Sequence, residues 1–119
     1  MVVGGKRMSY YKIDKHIKKF IMAELYNYEE NKRKINKMVL EKNDKSITTR
    51  GMLIAIEKVK NIERALDQFS DQEKEDIKKI FFKGHSQIYA EVNDGISKDM
   101  YYHLKDKMIY LTAIEYGQV

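Results

Sequence analysis

The 119-residue chain has no cysteine, no proline and no tryptophan. Without cysteine there is no disulfide framework, no thiolate metal site and no cysteine nucleophile. The composition suits a reducing cytosol, and a cytoplasmic location is the expectation. Without proline the helices lack their strongest breaker, so long uninterrupted helices are expected. No run approaches the roughly 20 apolar residues that cross a bilayer. Lys6 and Arg7 precede no apolar stretch with a cleavage site, so neither a membrane span nor a secretory signal is expected. Met1 to Gly5 reads as a flexible start.

Signals for catalysis are equally sparse. His16, His85 and His103 are scattered, with no His-x-x-x-His or Glu-x-x-His pair to hold a metal. There is no phosphate-cradling glycine loop and no Gly-x-Ser-x-Gly nucleophile turn. Glu29-Glu30 and Glu75-Asp76 are adjacent carboxylates, and helix neighbours point in different directions. The nine tyrosines suit core and interface positions better than acid catalysis. No enzyme activity, catalytic residue, metal or cofactor is expected.

What the chain does have is charge, unevenly divided. Residues 1–50 hold thirteen Lys and Arg against six Asp and Glu, net +7; residues 51–119 hold ten against twelve, net −2, together the +5 of the whole. The division suggests a basic N-terminal helical region, 1–50, and a second helical domain, 51–119. A basic half is an electrostatic footprint for a polyanion, or a solvated lysine-rich helix face.

Apolar spacing reads as helix throughout. Ile13, Ile17, Phe20, Ile21, Leu25 and Tyr28, then Ile35, Met38 and Val39, mark one face of a segment from Ser9 to Lys42. A bend is expected near Asn27 to Asn31. Lys15, Lys18, Lys19, Lys32 and Arg33 lie between the apolar positions. Asn43 to Gly51 reads as a loop, since its Thr-Thr pair disfavours helix. Met52, Ala55, Val59, Ile62, Leu66 and Phe69 then form the cleanest stripe in the chain. Ser70 and Glu73 have the spacing of a capping box, opening a helix to about Phe82 that buries Ile77, Ile80 and Phe81. Gly84 stops it. A short helix from Ser86 to Asn93 presents Ile88, Tyr89 and Val92, with Ala90 small enough for close helix approach. Ser97 caps the last helix, Lys98 to Tyr116, whose expected inward stripe is Tyr101, Leu104, Met108, Leu111 and Ile114 or Glu115.

The C-terminal order of helix, turn, short helix, glycine turn and serine-capped helix is the outline of a helix-turn-helix. Ile96 would plug the angle between the two helices, and Ser97 would open a helix able to point into a major groove. Lys98, Asp99, Tyr102, His103 and Asp106 would face outward. Lys98 and His103 suit phosphate or guanine, and Tyr102 phosphate or a thymine methyl. Lys105 and Lys107 suit the backbone. Asp99, Asp106 and the acidic balance of this half favour instead a plain helical hairpin.

Residues Ile62 to Gly117 resemble the C-terminal part of the RinA/ArpU-type phage transcriptional activators, distant relatives of sigma factor region four. The resemblance rests on Ser70 to Glu73, the pair Phe81-Phe82, Ile96-Ser97, and Ala113-Ile114-Glu115-Tyr116-Gly117. Glu24-Leu25-Tyr26-Asn27-Tyr28 is similar to the family's early Glu-Leu-x-x-Tyr helix. It implies an all-α fold, a long N-terminal helical segment followed by a bundle like sigma factor region four. It further implies that Lys98, Asp99, Tyr102, His103 and Lys105 sit where the family reads DNA. One departure stands out. The pattern Ala-x-x-Leu-Gly-x-Ser puts glycine four residues after alanine, whereas Ala90 and Gly95 are five apart, so a turn one residue longer is expected.

The leading expectation is thus a phage or mobile-element transcriptional regulator, a late-gene activator that binds double-stranded DNA through the C-terminal unit. Lys15, Lys18, Lys19, Lys32 and Arg33 would supply auxiliary phosphate contacts. RNA polymerase, and a second copy through the N-terminal helix, are the expected protein partners. The alternatives are a helical interaction module, adaptor or anti-regulator, and a small phage DNA-packaging subunit.

Overall fold

A computed structural model of the protein describes residues 12–40 and 49–119. Among them the regular structure is entirely helical: α1 (Lys15–Tyr26), α2 (Tyr28–Leu40), α3 (Thr49–Leu66), α4 (Asp71–Ile77, continued by a π-helical turn Lys78–Phe82), α5 (Gln87–Tyr89, continued by a π-helical turn Ala90–Asp94) and α6 (Lys98–Glu115). The expected helix start at Ser9, the flexible start expected at Met1 to Gly5, and the part of the expected loop from Asn43 to Thr48 lie outside the described residues.

The expected bend falls at Asn27, whose N–H is shared between the carbonyls of Ala23 and Glu24 at 3.1 and 3.2 Å. Asp14 opens α1 by accepting from the His16 and Ile17 amides, which satisfies two otherwise unpaired donors. The loop expected as far as Gly51 ends sooner, because Thr49, Arg50 and Gly51 form the first turn of α3. A first turn has no intrahelical acceptors for its N–H groups, so the β-branched and glycine penalties of a helix interior bear less there. At its other end α3 stops at Leu66. Phe69 still reaches the core, through tight bonds from the Gln68 and Phe69 amides to Ala65 and Leu66.

Both arms of the Ser70 capping box are made. The Glu73 amide donates to Ser70 Oγ at 3.2 Å, and the Ser70 amide to Glu73 Oε1 at 3.0 Å. The Ser70 amide bond is the chief cause holding the Glu73 carboxyl below the usual carboxylate range. Ser86 and Ser97 cap α5 and α6 through one arm alone, their hydroxyls accepting from the Tyr89 and Met100 amides.

One core serves the whole described chain. Ile21, Leu25 and Tyr28, from the region expected to stand apart, are buried with Val59, Ile62, Ile77, Ile80, Phe81, Leu104 and Met108. The boundary expected at residue 50 therefore does not divide the core. Each large aliphatic side chain so buried contributes about 1.5–3 kcal/mol relative to exposure. Packed against α1, α3 and α4, α6 buries more of its circumference than a single stripe. Tyr101, Leu104 and Met108 are inside as expected, and so are Ile109, Thr112 and Ala113, while Ile114 faces out.

Candidate nucleic-acid interface

The helix-turn-helix outline is realised as α5, a turn at Gly95, and α6. Gly95 has φ +69°, left-handed backbone that any side chain would strain. Ile96 is 3% exposed and its amide donates to the Ala90 carbonyl at 3.1 Å. Ala90 is fully buried, so the close helix approach expected there is present.

The extra residue between Ala90 and Gly95 is not in the turn. It is taken up inside α5, where the Gly95 amide donates to the Ala90 carbonyl, five residues back. A π-helical turn of this kind accommodates one more residue than α-helical winding. The turn itself therefore stays short, which corrects the expectation that it lengthens.

A polar clip fixes the unit from behind. His85 Nδ1 lies 2.7 Å from Asp94 Oδ2, so the two ends of α5 are tied together. The Tyr101 hydroxyl of α6 donates to the His85 carbonyl at 3.0 Å. Residues nine apart, each beside one of the glycines that flank α5, carry no periodic signal that sequence reasoning could have used.

On α6, Lys98, Asp99 and His103 are exposed, and Tyr102 is half-buried with its ring edge-on to Tyr101 at 5.2 Å. Met100, not among the expected residues, also faces solvent. Its apolar character hid it from a search for hydrogen-bonding groups. Lys105 and Lys107 lie lower on the helix. Their amines sit 5.7 Å from the Tyr101 ring and 5.0 Å from the Phe69 ring. Burial, reinforced by the nearby Lys18 charge, pushes the Lys105 pKa down. The charge of Lys107 acts on Glu73, so the start of α4 stands beside this face.

The five auxiliary cations divide into two groups. Lys15, Lys18 and Lys19 are exposed on α1. Lys18 Nζ reaches Asp106 Oδ1 at 4.0 Å, and Phe20 meets Tyr116 edge-on at 6.0 Å. Contacts from α1 thus reach both the middle of α6 and its C-cap residue. The basic face of α1 flanks the helix that follows Ser97. Lys32 and Arg33 lie on α2, which packs against α3. Lys32 covers the Tyr28 ring and Arg33 donates to Glu30.

Behind this surface Glu24, 8% exposed, accepts from the Tyr116 hydroxyl at 3.1 Å and pairs with Lys58 at 3.2 Å. Among the described residues there is no group of three His, Asp or Glu that could hold a metal, and no helix long and apolar enough to cross a membrane. No family model, curated protein or solved structure matches the chain.

Proposed function

We propose that the protein is a DNA-binding transcriptional regulator, reading duplex DNA with the N-terminal half of α6 while α1 holds the flanking phosphates. The observation that carries this reading is the convergence of two surfaces. The outward residues Lys98, Asp99, Tyr102 and His103 stand on a serine-capped helix, and Lys18 of α1 meets Asp106 on that same helix. An acidic residue expected to repel DNA is thereby matched by a lysine from the basic half. The resemblance to RinA/ArpU-type activators supports a phage or mobile-element regulator acting on late genes in the cytoplasm, with RNA polymerase or a second copy as protein partner. The absence of a catalytic or metal-ligand pattern in the sequence supports a role other than catalysis.

Binding of promoter-length duplexes at several salt concentrations tests the reading. Affinity should rise steeply as salt falls, because lysines that neutralise phosphates release counterions. Undetectable binding at low salt would rule it out. In DNA selected from a random pool, Lys98→Ala and Tyr102→Ala should change the recovered sequence, whereas Lys19→Ala should weaken binding to all sequences alike.

A second reading, a protein-interaction module, is favoured by one observation. Ile88 and Val92 of α5 are 70% and 75% exposed, one turn apart beside exposed Tyr89. Clustered apolar exposure of this kind marks protein contacts, and it suits phosphates poorly. Ile88→Ser with Val92→Ser should leave DNA affinity intact under the first reading. Loss of a stable protein complex without any DNA shift in the parent would favour the second.

A further inference from the structure

The inward residues of α3, Ala55, Val59, Ile62 and Leu66, are buried. On its opposite side Arg50, Glu57, Lys60 and Arg64 are exposed, as charged residues on a solvated helix face should be. Leu53 and Ile54 depart from that pattern. They are 59% and 49% exposed, adjacent, and stand between Arg50 and Glu57. A single exposed aliphatic is ordinary on a protein surface. Here two large ones share a helix face with opposite charges three residues to either side.

That arrangement is complementary to itself. In an antiparallel pair of α3 helices that sets Leu53 against the partner's Ile54, Arg50 falls against the partner's Glu57. Both pairs are centred on the same point of the helix, so one two-fold axis satisfies all four contacts, as an isologous interface requires. We propose that this face binds a second copy of the chain, through antiparallel α3 helices. The proposal stands whether or not α6 binds DNA.

Every charge on the face has a place in the pair. The helices overlap over about ten residues, roughly 15 Å, from Thr49 to Lys58. Within the overlap Arg50 and Glu57 meet across the axis, while Lys58 turns away to Glu24 at 3.2 Å. Glu57 is held loosely, 3.5 Å from Arg64, which lies closer to Glu115 at 2.8 Å. Lys60 and Arg64 fall beyond the start of the partner's α3. The C-terminal halves of the two helices point apart, and with them Glu115 and the rest of α6. The faces of α1 and α2 lack this balance. Lys15, Lys18 and Lys19 are exposed on α1, and α2 sets Lys32, Arg33, Lys34 and Lys37 against Glu29 and Glu30. Copies of those faces would bring like charges together. The α3 contact is smaller than the roughly 800 Å² per partner of a stable interface, so the dissociation constant should be on the order of 100 μM.

Sedimentation equilibrium of the full chain at low salt, over a range of concentrations up to about 1 mM, tests the proposal. The parent should dimerise. Arg50→Glu alone and Glu57→Arg alone should each weaken the dimer about tenfold, because each turns two attractive surface contacts into two repulsive ones, individually worth little. Both reversals in one chain should restore it, and an equimolar mixture of the two single variants should associate more tightly than either alone. Leu53→Ser with Ile54→Ser should stay monomeric with unchanged helix content by circular dichroism. The proposal is overturned if the parent is monomeric at the highest concentration, or if the double reversal is no tighter than the single ones. A dimer that survives Leu53→Ser with Ile54→Ser would also overturn it, and would assign self-association to another face.

Discussion

Lys18 of α1 lies 4.0 Å from Asp106 of α6. The contact joins the strongly basic part of the chain to α6, and it bears on how an acidic residue can stand beside the proposed DNA-reading surface. At that separation, with the lysine half-exposed, the pair is worth under about 1 kcal/mol to the fold. Its larger effect is on the field above α6. Lys18→Ala should therefore cost more DNA affinity than Lys19→Ala, and Asp106→Asn should raise affinity. The salt slope should fall by about 0.9 for each lysine that meets a phosphate. Unchanged affinity in Lys18→Ala and Lys19→Ala, with Asp106→Asn neutral, would separate α1 from the binding surface.

Tyr116→Phe removes the hydroxyl that donates to the largely buried Glu24. A hydrogen bond to a charged group is worth about 1.5–3 kcal/mol, and Lys58 still holds the carboxylate, so the expected loss in urea unfolding is near the lower end.

The same tyrosine predicts an alkaline limit. Burial first, then the charge and hydrogen bond of Glu24, push the Tyr116 pKa well above its ordinary 10.0. Burial and Glu63 do the same to Tyr28. A raised folded-state value means that each group's contribution is complete below the unfolded value and shrinks as pH rises above it. Stability should fall above pH 10, and Tyr28→Phe with Tyr116→Phe should flatten that decline. An unchanged alkaline slope in the double variant would show that other groups govern it.

Glu73 acts in the opposite direction. Its pKa is depressed, so its contribution is complete above the unfolded value near 4.5 and disappears as pH falls through the lower folded value. Ser70→Ala should cost about 1 kcal/mol at neutral pH. Glu73→Gln should remove this part of the acid sensitivity, as measured by thermal melts between neutral and acidic pH.

Ile96→Ala tests how the helix-turn-helix angle is held. The side chain is 3% exposed between α5 and α6, and its truncation should cost about 2–5 kcal/mol. DNA affinity should fall further than stability alone accounts for, because α6 would lose its fixed approach. A variant that remains folded and binds with parental affinity would show that the His85–Asp94 clip sets the angle by itself.

Much of the fold was legible because its signals are local. Ser70, Ser86 and Ser97 cap helices through bonds that span three residues, and Val59, Ile62 and Leu66 keep one helical period. The features that escaped depend on neighbours distant in sequence. Ile109 and Ala113 are buried because α6 is packed on several sides, which a single stripe does not encode. The spacing of Ala90 and Gly95 announced an extra residue, but its place inside α5 depends on which carbonyl the Gly95 amide finds. Of the candidate site, the exposed positions of Lys98, Asp99 and His103 followed from periodicity. The meeting of Lys18 with Asp106 and the retreat of Lys105 and Lys107 over aromatic rings did not.

The bond between Glu24 and Tyr116 spans 92 residues, and it constrains how the molecule is made. Loops this long close slowly, because chain entropy is lost before the contact is gained. On a ribosome α1 emerges before α6, and its seat on α6 does not exist until Tyr116 has emerged. Until then Ile21 and Leu25 lack their final neighbours, and the basic segment is free to meet other polyanions first. Assembly of the proposed reading surface thus waits for α6, and truncations that remove Tyr116 should disturb α1 as much as α6.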